Sequence, residues 1–304
     1  MVDTVVSDAP RRSEEQRSHA RSGRRWSPTS VVVALVVVFG AGLIAYPSGA
    51  TWISDLTHAS VVSGYAQVVD LTGETELAQL RADAVDYNAS LPDGPLRDPY
   101  VLNAQGGSDD LEDGRTDYLS QLSLRADAPM ARISIPAIGV DLPVYHGTDD
   151  ATLARGIGHL YGSGLPVGGA GTHSVLTGHS GIPGASLFTR LDEVRIDDLF
   201  TIEVAGETLT YRVDRIETVL PDDGDHLRQV AGHDYVTLLT CTPTGVNTHR
   251  LLVRGERVTT AAGADAETAL AASAPPGIPW DAIAVLVGGL GIAFTIARPR
   301  PTRR

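Results

Sequence analysis

The chain has 304 residues, 42% of them hydrophobic and 20% charged, a composition typical of a folded protein that excludes disorder along the whole chain. It contains one cysteine and no lysine, which excludes an intrachain disulfide, a cysteine-based structural zinc site, Schiff-base catalysis and a P-loop. The formal net charge of -13 argues against a nucleic-acid partner, because phosphate binding needs clustered cations.

The charge is unevenly distributed along the chain. Residues 1–46 carry six arginines against four acids and residues 280–304 carry four against one, while the middle carries 14 against 32. Beside each basic end lies an apolar run, 31–46 and 282–297, a little shorter than the ~20 residues of a typical spanning helix. Basic residues flank membrane helices on the cytoplasmic side. The pattern predicts a cell-membrane protein with both ends in the cytoplasm and an extracellular body.

The first apolar run has a second interpretation. Ser48 and Ala50 follow it and suit a small-residue cleavage site, so the run is either a membrane anchor or a cleaved signal peptide.

The next part of the chain is predicted to be helical. Residues 54–90 place apolar side chains at three- and four-residue spacings, and Thr72-Gly73 divides them into two helices. Residues 91–125 are rich in Pro, Gly and Asp and have no sustained period. A stretch of this length beside a compact domain is a linker or a functional lid.

After Pro129 the sequence alternates between short apolar stretches and turn residues, which indicates strands. About seven or eight strands in this region favour a closed barrel or a sandwich, since closure removes exposed sheet edges. Short helices are expected near 151–154, 187–191 and 226–230. The predicted strands are 132–135, 140–145, 173–177, 199–204, 209–217, 235–240 and 250–258.

Cys241 ends a predicted strand and faces a loop, a position where nucleophiles are often held. The alternative is a small buried hydrophobic residue. Acyl chemistry on a thiol needs a proton shuttle and a donor for the developing oxyanion. His179 follows a strand and is a candidate for the first role. Arg250 is a candidate for the second, since a short turn would return its strand beside that of Cys241. The other candidates for the histidine are His146, His159, His173 and His249.

Two motifs carry a family resemblance. T-L-L-T-C at 237–241, with Arg250 in T-H-R-L-L-V-R-G, and V-L-T-G-H-S-G at 175–181 resemble the active-site motifs of sortases, the cysteine transpeptidases of Gram-positive cell surfaces. The resemblance implies a closed eight-stranded sortase-type β-barrel, mainly β, with N-terminal helices and flanking membrane segments. It also implies Cys241 as the nucleophile, His179 as the general acid and base, and Arg250 as the stabilising arginine. No cofactor or metal is expected, since the Gly-rich and Asp-rich stretches lack the spacing of dinucleotide and calcium sites.

The subclass is suggested by Asp98-Pro99-Tyr100, which resembles the lid motif of class C, the pilin-polymerising sortases. That class also has a C-terminal hydrophobic segment. By this resemblance Tyr100 covers the Cys241 side of the cleft and Asp98 fixes the lid through a nearby arginine. As an isolated tripeptide Asp-Pro-Tyr is simply a turn.

The sequence therefore predicts a membrane-anchored class C-like sortase that cleaves an LPXTG-like signal in a pilin precursor and transfers the acyl group to a pilin lysine. The alternatives are a housekeeping sortase acting on a cell-wall precursor, a non-catalytic membrane-tethered assembly protein, and a hydrolytic cysteine protease. The expected organisation is a basic tail at 1–29, an apolar segment at 30–50, a helical region with the lid at 51–128, the barrel at 129–260, a linker at 261–279, a membrane segment at 280–297 and a basic tail at 298–304.

Overall fold

The computed structural model describes residues 24–25, 27–91, 115–221, 223–258, 277–298 and 300–301. The chain divides into two compact units, one formed by Met1–Ala45 with Ile283–Arg304 and the other by Tyr46–Ala282. The helices are α1 (Pro28–Leu71), α2 (Glu74–Ser90), α3 (Arg115–Ser120), α4 (Asp150–Leu153) and α5 (Trp280–Ala297).

Eight strands form the second unit's sheet. They are β1 (Ala131–Ile135), β2 (Val140–His146), β3 (Ile157–His159), β4 (Thr172–Thr177), β5 (Leu199–Val204), β6 (Glu207–Val219), β7 (Asp234–Thr242) and β8 (His249–Arg257). The sheet closes into a barrel in the order β1-β2-β3-β4-β7-β8-β6-β5. The predicted eight-stranded barrel is therefore confirmed.

Seven of the strands overlap the predicted stretches, and β3 is the one that the sequence did not reveal. Three short 3-10 helices also occur, at Pro136–Ile138, Leu191–Glu193 and Gly224–Leu227. The last two lie in or next to regions where short helices were expected.

The barrel interior is filled by alternate side chains of facing strands. Ile133 of β1 lies opposite Leu142 of β2 and Ile202 of β5, and all three are buried. Phe200 and Tyr211 are register partners with stacked rings whose centroids are 5.5 Å apart. A Cβ at Gly255 would lie 2.5 Å from the Phe200 ring. Glycine at this position therefore leaves room for the ring in the closely packed core.

The first helix is tied to the barrel by Tyr65, which is buried. Its hydroxyl donates to the carbonyl of Met130 at 3.3 Å and accepts from the amide of Ala205 at 3.0 Å. At 44 residues, α1 is about 66 Å long, so it runs well past the apolar stretch that ends at Tyr46. The sequence predicted a helix from residue 54 separate from that stretch, whereas the structure has one continuous helix.

The other unit contains two helical segments that are long and apolar enough to cross a membrane, judged by length and composition, within α1 and α5. They pack through small residues, because a Cβ at Gly289 would lie 2.5 Å from the Cβ of Ala41. Close approach at Gly and Ala is common between membrane helices. Arg24–Arg25 pairs with Arg300–Pro301 as two short antiparallel strands.

Candidate active site

The candidate nucleophile and the candidate arginine are register partners on neighbouring strands. Cys241 of β7 lies directly opposite Arg250 of β8 in the antiparallel pairing. Both are buried, with 8% and 6% of their surfaces exposed. Opposed residues of an antiparallel pair have Cβ atoms ~5 Å apart on the same face of the sheet. The guanidinium and the thiol therefore project from one face.

The candidate histidine follows β4, the strand on the other side of β7. Thr177, the last residue of β4, is in parallel register with Leu239. The pairing continues past the end of the strand, because the Gly178 amide donates to the Leu239 carbonyl at 3.1 Å. The Thr240 hydroxyl donates to the Gly178 carbonyl at 2.7 Å. The backbone of His179 is thereby held at the level of Cys241.

The alternation of β7 assigns this site to the outer face of the barrel. Leu238 contributes to the barrel core, whereas Leu239 belongs to a separate apolar cluster. Since side chains alternate along a strand, Cys241 shares the face of Leu239. The separate cluster, called here the outer apolar cluster, consists of Leu160, Val175, Leu227, Leu239 and Leu252, with Val219 packed against it. It provides an apolar floor next to the polar groups.

Arg250 is held from behind by backbone carbonyls. Its Nη1 donates to the carbonyls of Asn247 and His249, each at 3.1 Å. These bonds hold the buried guanidinium in place against the backbone of the connection between β7 and β8. A fixed, permanently charged donor is suited to an anion that forms during a reaction.

The loops after His179 and Cys241 are joined. The hydroxyls of Ser180 and Thr244 are 2.8 Å apart. Gly181 has φ +72°, and a Cβ there would overlap the Thr244 side chain. Glycine is therefore required on two grounds, backbone conformation and space. The contacts keep the two segments that carry the candidate residues at a fixed separation.

Burial lowers the pKa of His179 below its ordinary value of 6.5, and the Asp150 carboxylate partly opposes that effect. The imidazole is therefore mostly neutral at neutral pH, where it can accept a proton.

The contribution of Asp150 can be tested by charge removal. We expect Asp150→Asn to lower the pKa of His179 further, because it removes the carboxylate that raises it. The acid limb of the pH profile of kcat/KM should move to lower pH, and NMR titration of the imidazole should move with it. Asp192→Asn, also at an exposed carboxylate, is the matched control and should leave both unchanged. An acid limb that stays in place in Asp150→Asn would contradict this assignment.

All four of the rival histidines have hydrogen-bond partners. His173 is bonded to the carbonyl of Arg228 at 2.8 Å and to the Thr237 hydroxyl at 2.7 Å. His159 is bonded to Tyr118 and Gly164, and His146 contacts the carbonyl of Gln121. His249 pairs with Thr242 in the ladder, and its Nδ1 lies 2.9 Å from the Thr248 hydroxyl.

The sequence interpretation assigned no role to Thr240 or Asp150, although Thr240 lies inside the quoted T-L-L-T-C motif. Asp98 and Tyr100, the predicted lid residues, lie outside the described residues. Within the described ranges, no group of three or more His, Cys, Asp or Glu side chains is placed to hold a metal ion.

Known proteins share this fold and much of this sequence. The family model for the sortase domain matches residues 133–258. Sortase C-1 from Actinomyces oris is 47% identical, with 61% of this chain and 99% of that chain covered at a TM-score of 0.58. Sortase C from Streptococcus pneumoniae, whose structure was described in terms of catalysis and pilin substrate specificity, is 36% identical, with 66% and 97% covered at a TM-score of 0.58.

A lid mutant of sortase A from Corynebacterium diphtheriae is 46% identical, with 62% of this chain and 96% of that chain covered at a TM-score of 0.55. Curated sortases A and D match at 26% to 28% identity over 51% to 67% of their own length. The solved chains, by contrast, are covered almost completely and at much higher identity. The protein therefore belongs to the sortase family.

Proposed function

We propose that the protein is a membrane-anchored, pilin-polymerising transpeptidase that uses Cys241 as its nucleophile. The observation that carries the proposal is the strand order β4-β7-β8, which brings a histidine and an arginine to either side of the chain's single cysteine. The similarity to sortases C supports the pilin substrate, and the two apolar helices support the membrane anchor.

The first half of the reaction forms a thioester. The Cys241 thiol gives its proton to the neutral His179 imidazole, and the thiolate attacks the carbonyl carbon of the Thr in an LPXTG-like signal. Arg250 stabilises the oxyanion that develops. The C–N bond between Thr and Gly then breaks as the His179 imidazolium gives its proton to the departing Gly amine.

The second half transfers the acyl group. The ε-amine of a pilin lysine attacks the thioester carbonyl and loses a proton to the now neutral His179. The C–S bond breaks, an isopeptide bond remains, and return of the proton from the imidazolium restores the thiol and the neutral imidazole. Burial of Cys241 limits access of water to the thioester, which favours aminolysis over hydrolysis.

The proposal is tested by trapping the intermediate. Incubating the enzyme with an LPXTG peptide should add the mass of the acyl fragment to the peptide containing Cys241, as read by mass spectrometry. Adding a lysine-containing pilin fragment should then discharge the adduct and yield an isopeptide. Discharge only by a cell-wall precursor amine would indicate the housekeeping alternative. Absence of any adduct would favour a non-catalytic assembly protein, and release of free acid alone would favour a protease.

The lid belongs to the proposal as well. The helices on either side of residues 92–114 are both held by hydrogen bonds near the connection between β3 and β4. α2 contacts the connection itself, and α3 contacts the last residue of β3. The Asn88 amide side chain exchanges two hydrogen bonds with the backbone of Leu165, and Tyr118 bonds to His159. These contacts hold α2 and α3, the helices on either side of the predicted lid segment, against the barrel-containing unit.

We expect Asp98→Ala and Tyr100→Ala each to increase the rate at which a thiol reagent alkylates Cys241, because a cover over the thiol would be weakened. Alkylation is followed by mass spectrometry under pseudo-first-order conditions, with the thiol reagent in excess. Asp109→Ala removes a carboxylate elsewhere in the same segment and is the control. Equal alkylation rates in all the variants and the parent protein would argue against a lid.

A further inference from the structure

Within the barrel-containing unit, the residues that adjoin the two apolar runs lie close together. The first apolar run ends at Tyr46 and the second begins at Ala282. Just inside these limits, the Ser48 hydroxyl donates to the carboxylate of Asp281 at 2.7 Å. If both runs cross a membrane, as proposed above, the membrane surface lies close to this hydrogen bond.

One edge of the candidate active site packs against α1 two residues after Ser48. A Cβ at Gly184, which has φ +84°, would lie 3.1 Å from the Cβ of Ala50. Asp55, just over one helical turn further along α1, lies beside the Ser186 hydroxyl, which interacts with its carboxyl group. The loop that begins after His179 therefore rests on the part of α1 that directly follows the apolar run.

The loops around the site differ in composition from the rest of the body. Residues 180–189 and 242–249, called here the rim, contain no Asp, Glu or Arg in a chain that is 20% charged. The rim also exposes apolar side chains, since Ile182 is 38% exposed and Val246 is 64% exposed. The Ser180–Thr244 contact joins the two loops into one surface.

We propose that the rim is a lipid-contacting surface that rests on the outer leaflet of the membrane. The proposal depends on the membrane anchoring proposed above and adds the orientation of the site. An uncharged surface with exposed Ile and Val side chains suits the interfacial region of a bilayer, whereas the acidic body is repelled by anionic headgroups. The mouth of the site then faces the membrane. A sorting signal adjoining a membrane-spanning segment of its precursor reaches Cys241 while still held in the bilayer.

The orientation is tested in the full chain reconstituted into phosphatidylcholine–phosphatidylglycerol vesicles. Single cysteines are introduced into the Cys241→Ala background as Ile182→Cys and Val246→Cys and labelled with an environment-sensitive fluorophore. Val230→Cys and Ile196→Cys are the matched controls, because both wild-type residues are exposed apolar side chains. Val230 lies close to the first residue of β7, at the far end of that strand from Cys241. Leu43→Cys, within the first apolar run, reports insertion.

Lipids carrying a nitroxide near the headgroup should quench the labels at 182 and 246 at least about twofold more strongly than those at 230 and 196. Similar quenching at all four positions, with Leu43→Cys quenched, would overturn the proposal. An unquenched label at Leu43→Cys would mean that the first apolar run is not inserted in the membrane. It would overturn the proposal, because the proposal depends on that anchoring. Emission at 182 and 246 that is blue-shifted but insensitive to the lipid quencher would mean that protein covers the rim, and would also overturn it.

A second measurement uses the active enzyme. The double variant Ile182→Glu/Val246→Glu should lose at least about tenfold in kcat/KM for a sorting peptide attached to a lipid in vesicles. Its kcat/KM for the same peptide free in solution should be unchanged. Equal losses on both substrates would contradict a membrane role. Since the quenching measurement needs no catalysis, it separates failure of the rim proposal from failure of the transpeptidase assignment.

Discussion

Replacing Cys241 with alanine should abolish thioester formation and covalent pilin polymers, lowering the rate by at least about four orders of magnitude. The thiol is the only sulfur nucleophile in the chain, and His179 and Arg250 have no reaction to promote without it. The side chain is small and lies at the end of a strand, so the free energy of unfolding should change by about 1 kcal/mol or less. Peptide cleavage in vitro and polymer ladders in surface extracts measure the first effect, and thermal unfolding measures the second.

A conservative variant separates nucleophilicity from packing. Cys241→Ser keeps a polar atom of similar size but replaces the thiol by an alcohol whose pKa is far above neutral, so it should be almost as inactive as the alanine variant. Thr242→Ser, one residue further along β7, removes only a methyl group and serves as the control. Ladders that persist in Cys241→Ala would remove Cys241 from the mechanism.

Most of the barrel could be predicted because its strands alternate. Residues 199–204 were predicted as a strand, and the observed β5 has the same limits. The strand at Ile157–His159 was missed because three residues are too few to show a period. The continuity of α1 was also missed. The sequence changes composition after Tyr46, from uniformly apolar to amphipathic, but the backbone remains helical through Pro47.

The site could be predicted in part. Cys241 and Arg250 are separated by a short turn, so their juxtaposition follows from local sequence. The position of His179 depends on the parallel pairing of β4 with β7, which joins residues 62 apart, as in the Thr240 hydroxyl bond to Gly178. No local pattern encodes such a register, and only the motif resemblance selected His179 from the other histidines. The catalytic roles themselves remain predictions.

Arg250→Lys should lower the rate of thioester formation by about 10²–10³-fold, the effect of losing one oxyanion donor. Lysine keeps the positive charge, but its single ammonium cannot donate to the carbonyls of Asn247 and His249 and also reach an oxyanion as the planar guanidinium does. Arg254→Lys is the matched control. Arg254 lies four residues along the same face of β8, paired with Asp214 and stacked over Tyr235, and its replacement should leave acylation near the parental rate.

The same variant distinguishes two ways in which Arg250 can act. If the guanidinium mainly stabilises the thiolate, the pH profile of Cys241 alkylation should move to higher pH in Arg250→Lys together with that of acylation. If it mainly stabilises the oxyanion, alkylation should keep its pH profile, because alkylation forms no oxyanion, while acylation falls. The hydrogen bonds from Arg250 to the β7–β8 turn favour the second outcome, since they hold the donor in place before any charge develops. An acylation rate within a factor of about three of the parent would exclude both roles.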